Sequence, residues 1–201
     1  FSETGKHLLR SPFSQFVKAT AEGHYTRVFS PRLSLAMRAF AGVVYAYGNS
    51  TQAPYGEQFF VGGANSVRGF AVRTIGPGGY HTQRTKYSYI DQTGDVKFEA
   101  NAELRTRLFG QLNGALFLDA GNVWLIRPDA KRPESGFTLR NLKRIAVGTG
   151  VGLRYDLSFL VVLVDLGVGL HAPYDTGRQG FYNINWFKES LVLHFAIGYP
   201  F

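Results

Sequence analysis

The stretch Leu191-Val192-Leu193-His194-Phe195-Ala196-Ile197-Gly198-Tyr199-Pro200-Phe201 carries a large apolar side chain at every second position. In an extended chain, Leu191, Leu193, Phe195, Ile197, Tyr199 and Phe201 share one face, and His194, Ala196 and Gly198 share the other. Strands of globular proteins run to about 5 to 6 residues. A tilted strand crossing a bilayer takes about 9 to 11. The length, the alternation and the closing aromatic residue point to a membrane-spanning β-strand.

Working back from this strand, period-two alternation recurs along the chain in about seven segments of roughly 10 to 16 residues. From Phe16 to Thr26, the polar residues Lys18, Thr20, Glu22, His24 and Thr26 oppose Val17, Ala19, Ala21 and Tyr25. After the turn Ser30-Pro31-Arg32, the residues Leu33, Leu35, Met37, Ala39, Ala41, Val43 and Tyr45 line up on one side. Phe98, Ala100, Ala102, Leu104 and Leu108 alternate with Lys97, Glu99, Glu103, Arg105 and Arg107. A turn at Gly110 to Asn113 leads to Ala115–Trp124. Ile145–Tyr155 and Leu160–Leu170 follow, joined at Asp156-Leu157-Ser158.

Short turns at Pro31, Gly110 and Leu157 thus alternate with long connections at 48–94, 127–143 and 171–186. Outer-membrane barrels show this asymmetry, with short periplasmic turns and long outer loops. Tyr45, Tyr47, Trp124, Trp186, Phe187, Tyr199 and Phe201 stand at strand ends, where aromatic girdles mark the lipid interfaces. The pattern predicts an all-β fold, a transmembrane antiparallel β-barrel.

Bulk composition agrees. The chain of 201 residues is 45% hydrophobic and 15% aromatic, enough for a folded domain. Its mean hydropathy of −0.09 hides a lipid face averaged with a lumen face. No window offers the about 20 apolar residues of a spanning helix; the longest run, Phe159 to Val164, stops at Asp165. The net charge of +8 is scattered and interleaved with carboxylates, which argues against a nucleic-acid track. With no cysteine, disulfides and thiolate metal sites are excluded.

Two features inside the barrel carry function. On the strand from Ile145, the outward set Ile145, Val147, Val151, Leu153 and Tyr155 leaves Ala146, Gly148, Gly150 and Gly152 inward. Such a smooth wall lets another backbone approach, which would place the 48–94 loop in the lumen, or it eases barrel curvature. Within that loop, Gly62-Gly63-Ala64-Asn65-Ser66-Val67-Arg68-Gly69-Phe70 presents one arginine from a glycine-flanked turn. No GKS/T follows, so it is not a phosphate-binding loop. Asp119 and Glu103 are its candidate acceptors, because Leu118 and Leu104 face lipid and send both carboxylates inward. The alternative is that each charge is solvated separately.

Val67-Arg68-Gly69-Phe70 in a long loop, Phe117-Leu118-Asp119-Ala120-Gly121 further on, and a terminal Phe195-Ala196-Ile197-Gly198-Tyr199-Pro200-Phe201 resemble, in this order, the BamA/TamA family of outer-membrane assembly factors. The stretches Arg73-Thr74-Ile75-Gly76-Pro77-Gly78 and Ile197-Gly198-Tyr199-Pro200-Phe201 look most like its TamA-like branch in Bacteroidetes. The resemblance implies that residues 1–201 are the C-terminal part of a sixteen-stranded barrel, about seven strands of it, preceded by periplasmic POTRA domains. It implies a loop latched through Val67, Arg68, Gly69 and Phe70, with Asp119 and Glu103 as acceptors. Phe195, Ile197, Gly198, Tyr199 and Phe201 would form the insertion signal and one lip of a seam where client strands are templated.

Seven strands leave open edges that a bilayer does not tolerate. The remainder therefore lies elsewhere in the protein, or Phe1–Phe13 adds an eighth strand, or copies associate. The expected partners are outer-membrane lipid and lipopolysaccharide, client β-barrels and periplasmic or accessory assembly subunits, with no nucleic acid. No cofactor, metal or catalytic residue is expected, since His24, His194 and Asp165 are dispersed in the sequence. A secretion transporter of the two-partner type, or a passive pore, is the alternative to an assembly barrel.

Overall fold

In the computed structural model, residues 7–8, 11–81, 92–127, 129–185 and 188–198 are described. His7–Leu8 (β1) and Ser11–Pro12 (β2) pair with each other, apart from the main sheet. That sheet is an antiparallel meander of Gln15–Ser30 (β3), Leu33–Tyr47 (β4), Val96–Phe109 (β5), Leu112–Trp124 (β6), Ala146–Asp156 (β7), Val161–His171 (β8) and Val192–Ile197 (β9). The remaining regular structure described is two short 3-10 turns, Tyr55–Glu57 and Asn141–Lys143. The expected all-β architecture and its seven strands are present. The Phe1–Phe13 region supplies no eighth strand among the described residues, because β1 and β2 close on themselves.

Alternation sorts the faces as the period predicts. Leu116, Leu118, Val151, Leu153, Leu193, Phe195 and Ile197 are exposed on the outward face. The inward neighbours Phe117, Asp119 and Arg154 are fully buried. The hydrophobic core lies at the long-connection end of the sheet, where inward Val44, Ala46, Val123 and Ala146 meet Phe59, Val61, Val67, Phe70 and Ile75 from the 48–94 connection. An inward face that would otherwise be wet is thus covered by a loop with its own apolar side chains.

Three expectations change. Tyr45 and Tyr47 are exposed as girdle residues should be, but Trp124 is fully buried. The 127–143 connection turns back over it, placing Phe137 on its ring at 5.9 Å and the Asn141 carbonyl 3.0 Å from its indole nitrogen. The last strand is shorter than its alternation suggests: β9 ends at Ile197, and Gly198, at φ +91°, takes the chain into a conformation that other residues rarely adopt. Trp186, Phe187 and Tyr199 to Phe201 lie outside the described residues.

The third change concerns the glycine wall. Of the inward glycines of β7, Gly148 meets the loop: a Cβ there would sit 2.9 Å from the Gly69 nitrogen. Gly150 and Gly152 face the β8 strand, Phe117 and Arg154 instead. The closest approach involves a glycine of β8, Gly167, where a Cβ would lie 2.1 Å from the Arg68 carbonyl oxygen. Gly167→Ala should therefore push the loop off the sheet and cost about 1–3 kcal/mol, the usual range for overpacking. Gly23→Ala, with nothing within 4 Å, should cost far less. Thermal unfolding of both variants, followed by the loss of the compact band on unboiled gels, checks the contrast; equal behaviour would contradict the packing described.

Candidate functional site

The loop turn at Ser66 to Phe70 is held by its own backbone. Gly63 N donates to Phe70 O at 3.0 Å, and Phe70 N donates to Val67 O at 3.2 Å. The Ser66 hydroxyl accepts from Gly62 N at 3.1 Å and donates to the Glu99 carboxylate. This small hairpin aims the Arg68 side chain along the inward face. Gly69 is small because Val168 O would stand 2.5 Å from any Cβ.

Arg68 then meets carboxylates from three strands. Its Nε and one terminal nitrogen form a two-pronged pair with Asp119 on β6, at 2.7 and 2.9 Å, and its backbone N–H adds a third bond at 3.1 Å. The other terminal nitrogen donates to Glu103 on β5 at 2.5 Å and to Asp165 on β8 at 3.3 Å. The guanidinium carbon lies 3.7 Å from the Phe117 ring centroid, a stacked cation–π contact. The structure thus brings together Val67, Arg68, Gly69, Phe70, Asp119 and Glu103. Phe195, Ile197 and Gly198 stand on the far edge, with the first two outward and exposed.

Sequence reasoning missed the rest of this cluster. Arg154 on β7 is fully buried and bonds Glu103 Oε2 at 2.9 Å and Asp165 Oδ2 at 3.1 Å. Arg105 donates to the other oxygen of Glu103 at 2.9 Å. Asn101 joins the loop to the wall, donating to Ser66 O at 2.9 Å and to Asp119 Oδ1 at 3.0 Å. Three carboxylates thereby face three guanidinium groups, so a set of buried charges is locally neutral. The signal was available: Arg68 with Glu103 and Asp119 leaves one negative charge unmatched in a low-dielectric interior, which demands another inward cation.

The last strand is tied in as well. His194, opposite Asp165 in the β8–β9 register, places Nε2 2.8 Å from the Arg68 carbonyl oxygen, so that nitrogen carries the hydrogen and donates. His24 on β3 instead sits 3.2 Å from Glu22. A second chain of ions runs beside the first. Arg38 on β4 bonds Glu22 on β3 and, at 2.6 Å, Glu99 on β5, which Lys97 also approaches at 2.9 Å. Further along the loop, Asn122 donates to Gly78 O at 2.9 Å, and Gly78 N donates to Val123 O at 2.7 Å. The loop is pinned to the sheet at both places.

Known proteins share this fold. Residues 8–201 match the Omp85 superfamily domain. The outer membrane protein assembly factor BamA of Neisseria meningitidis serogroup B is 32% identical over 115 residues, which are 55% of this chain and 14% of that protein. The crystal structure of BamA from Haemophilus ducreyi lacking POTRA domains 1–3 superposes with a TM-score of 0.66 at 15% identity, over 91% of this chain and 34% of that one. CdiB from Acinetobacter baumannii superposes with a TM-score of 0.52 at 18% identity, over 92% and 27% respectively. The chain therefore spans about a third or less of each of these proteins. The similarity reaches BamA and singles out no particular bacterial branch. With a matching family domain over nearly its whole length and seven meandering strands that superpose on the BamA barrel, the chain belongs to the Omp85 superfamily of bacterial outer-membrane β-barrel proteins.

Proposed function

We propose that this chain forms the C-terminal wall of a barrel that assembles or translocates outer-membrane proteins without catalysis, and that its 48–94 loop is inserted in the lumen and latched there. The carrying observation is Arg68, fully buried and bonded to Asp119, Glu103 and Asp165 from three strands. A surface loop has no use for such a cluster. A plug that must hold one position in a wide barrel does, because bidentate arginine pairs fix orientation as well as distance. Work is done without cofactor or nucleotide, since satisfying client backbone groups within lipid supplies the driving force. Phe195, Ile197, Gly198, Tyr199 and Phe201 form the insertion signal and the lip of the seam. β9, six residues long, stands at the edge of the sheet, where such a seam would lie.

Clients are other β-barrels, and periplasmic or accessory subunits deliver them. Depletion of the full-length protein distinguishes this reading from a secretion transporter or pore. An assembly barrel predicts that many outer-membrane barrels fall together and return on complementation with the wild-type gene. Loss of export of one dedicated partner, with barrels unaffected, would establish the transporter reading instead.

A further inference from the structure

The outward face of β3 to β6 is unevenly covered. Gly23, Ala39, Ala100 and Ala120 are successive partners in register across these four strands, and none carries more than a methyl group. Ala21 and Ala41 repeat the pattern one step nearer the long connections. Taller side chains, Met37 and Leu118 on one side and Val43 and Phe98 on the other, stand exposed along the row. Between them runs an apolar trough. Its upper part, about 420 Å³, is walled by Ala41, Val43, Phe98 and Phe137. It continues through about 560 Å³ past Ala39, Ala100 and Ala120.

Hydrocarbon fills any such trough in a bilayer, and little transfer energy is gained, because lipid tails are as apolar as the wall. Preference for one lipid must come from its head group, and the head-group end of this trough is basic. On one side, Arg127 lies 5.2 Å over the Tyr45 ring, two residues along β4 from Val43. On the other, Trp124 packs on Phe98 at 5.8 Å and holds the Asn141 carbonyl, so the backbone that carries Arg140 and Lys143 passes beside the same rim.

The acidic groups of this connection are already engaged. Asp129 pairs with Arg132 at 2.7 Å, and that hydrogen bond holds its carboxyl below the usual carboxylate range. Glu134 pairs with Arg144 at 2.6 Å. Lys131, Arg140 and Lys143 are exposed and form no ion pair among the described residues. Beside them Leu139, 86% exposed, offers apolar surface at the interface.

We propose that the trough and its basic rim bind lipopolysaccharide through its lipid A part, the phosphates meeting Lys131, Arg140 and Lys143 and one acyl chain lying along Ala41, Ala39 and Ala100. Several separate cations at one rim match a lipid with two phosphates and many chains better than a phospholipid with a single phosphate. The proposal rests on the reading that the long connections face the outer leaflet.

The test uses full-length protein in phosphatidylcholine nanodiscs doped with one probe at a time: bis-phosphorylated hexa-acyl lipid A, its monophosphorylated form, or phosphatidylglycerol. Bound lipid is read by native mass spectrometry. Bis-phosphorylated lipid A should bind most tightly. The combined variant Lys131→Ala, Arg140→Ala, Lys143→Ala should bind it about a hundredfold more weakly, each basic residue near a charged bilayer surface being worth roughly fivefold. Ala100→Leu, which fills the trough but spares the rim, should weaken lipid A and leave the variant folded. Equal binding of lipid A and phosphatidylglycerol, or a triple variant that binds like wild type, overturns the site. Heat-modifiable gel migration reports barrel integrity separately: a wild type that never inserts overturns the membrane reading, and the lipid site with it.

Discussion

Arg68→Ala should be among the most damaging single substitutions in this chain. The side chain is fully buried, and removing it strands the Asp119 charge, which then keeps only neutral donors among the described residues, the backbone N–H of position 68 and the Asn101 amide. Breaking a buried pair from one side typically costs about 3–5 kcal/mol, since the surviving charge has no water to return to. The loop should detach and the heat-modifiable form should be lost at lower temperature. On the proposed function, client barrels should also accumulate unassembled. Arg68→Lys should not restore the wild type, because an ammonium cannot span both Asp119 oxygens and still reach Glu103. Asp119→Ala should resemble Arg68→Ala, and the double variant should be less damaged than the sum of the two. Independent, additive losses would show that the charges are separately accommodated. If neither single variant changed heat stability or assembly, the latch would be refuted.

Arg154→Ala should be comparably severe by a different route. Arg154 does not touch the loop through any bond described above; it joins Glu103 to Asp165 across three strands. Without it, two buried carboxylates compete for Arg68 and Arg105, and a cost of about 3–5 kcal/mol is again expected. The two variants should differ in kind. Arg154→Ala should weaken the barrel wall even in a protein whose 48–94 loop, and Arg68 with it, is deleted. Unfolding midpoints of Arg154→Ala with and without the loop, beside that of Arg68→Ala in the intact protein, provide the check.

Much of this architecture was legible because strand geometry has a period of two. Once Leu118 and Leu104 are placed in lipid, Asp119 and Glu103 can only point inward, so the partners of Arg68 could be named from parity. Parity says nothing about depth. Arg154 and Asp165 are also inward, but so are Gly150, Gly152 and Leu163, and the level at which each meets its neighbours depends on the stagger of the sheet. That stagger is visible only in the register, where Gly152 lies opposite Asp165 and Asp165 opposite His194.

Other misreadings have equally local causes. Trp124 looked like a girdle residue because its strand position is right, and nothing in its surroundings announces that Phe137 will fold back onto it. Gly167 went unnoticed beside the denser glycines of β7, although it makes the closer approach to the loop. The run from Leu191 suggested a full-length strand, whereas the ladder covers Val192–Ile197 and Gly198 turns away. Phe195 and Ile197 were placed correctly on the outward face by alternation alone.

The central claim is that the Ser66–Phe70 turn rests against the inward wall in the assembled, membrane-inserted protein. This chain has no cysteine, so within it a pair introduced at Ser66 and Asn101 meets no competing thiol. The two positions are in contact, the Asn101 amide lying 2.9 Å from the Ser66 carbonyl oxygen. In cells expressing the full-length protein with Ser66→Cys and Asn101→Cys, a short bifunctional thiol reagent should join the two nearly completely. A pair at Val72 and Leu118, one on the loop and one on the outward face, should stay unlinked. Failure of the Ser66–Asn101 pair to cross-link, with both thiols reactive once the protein is denatured, would contradict the account.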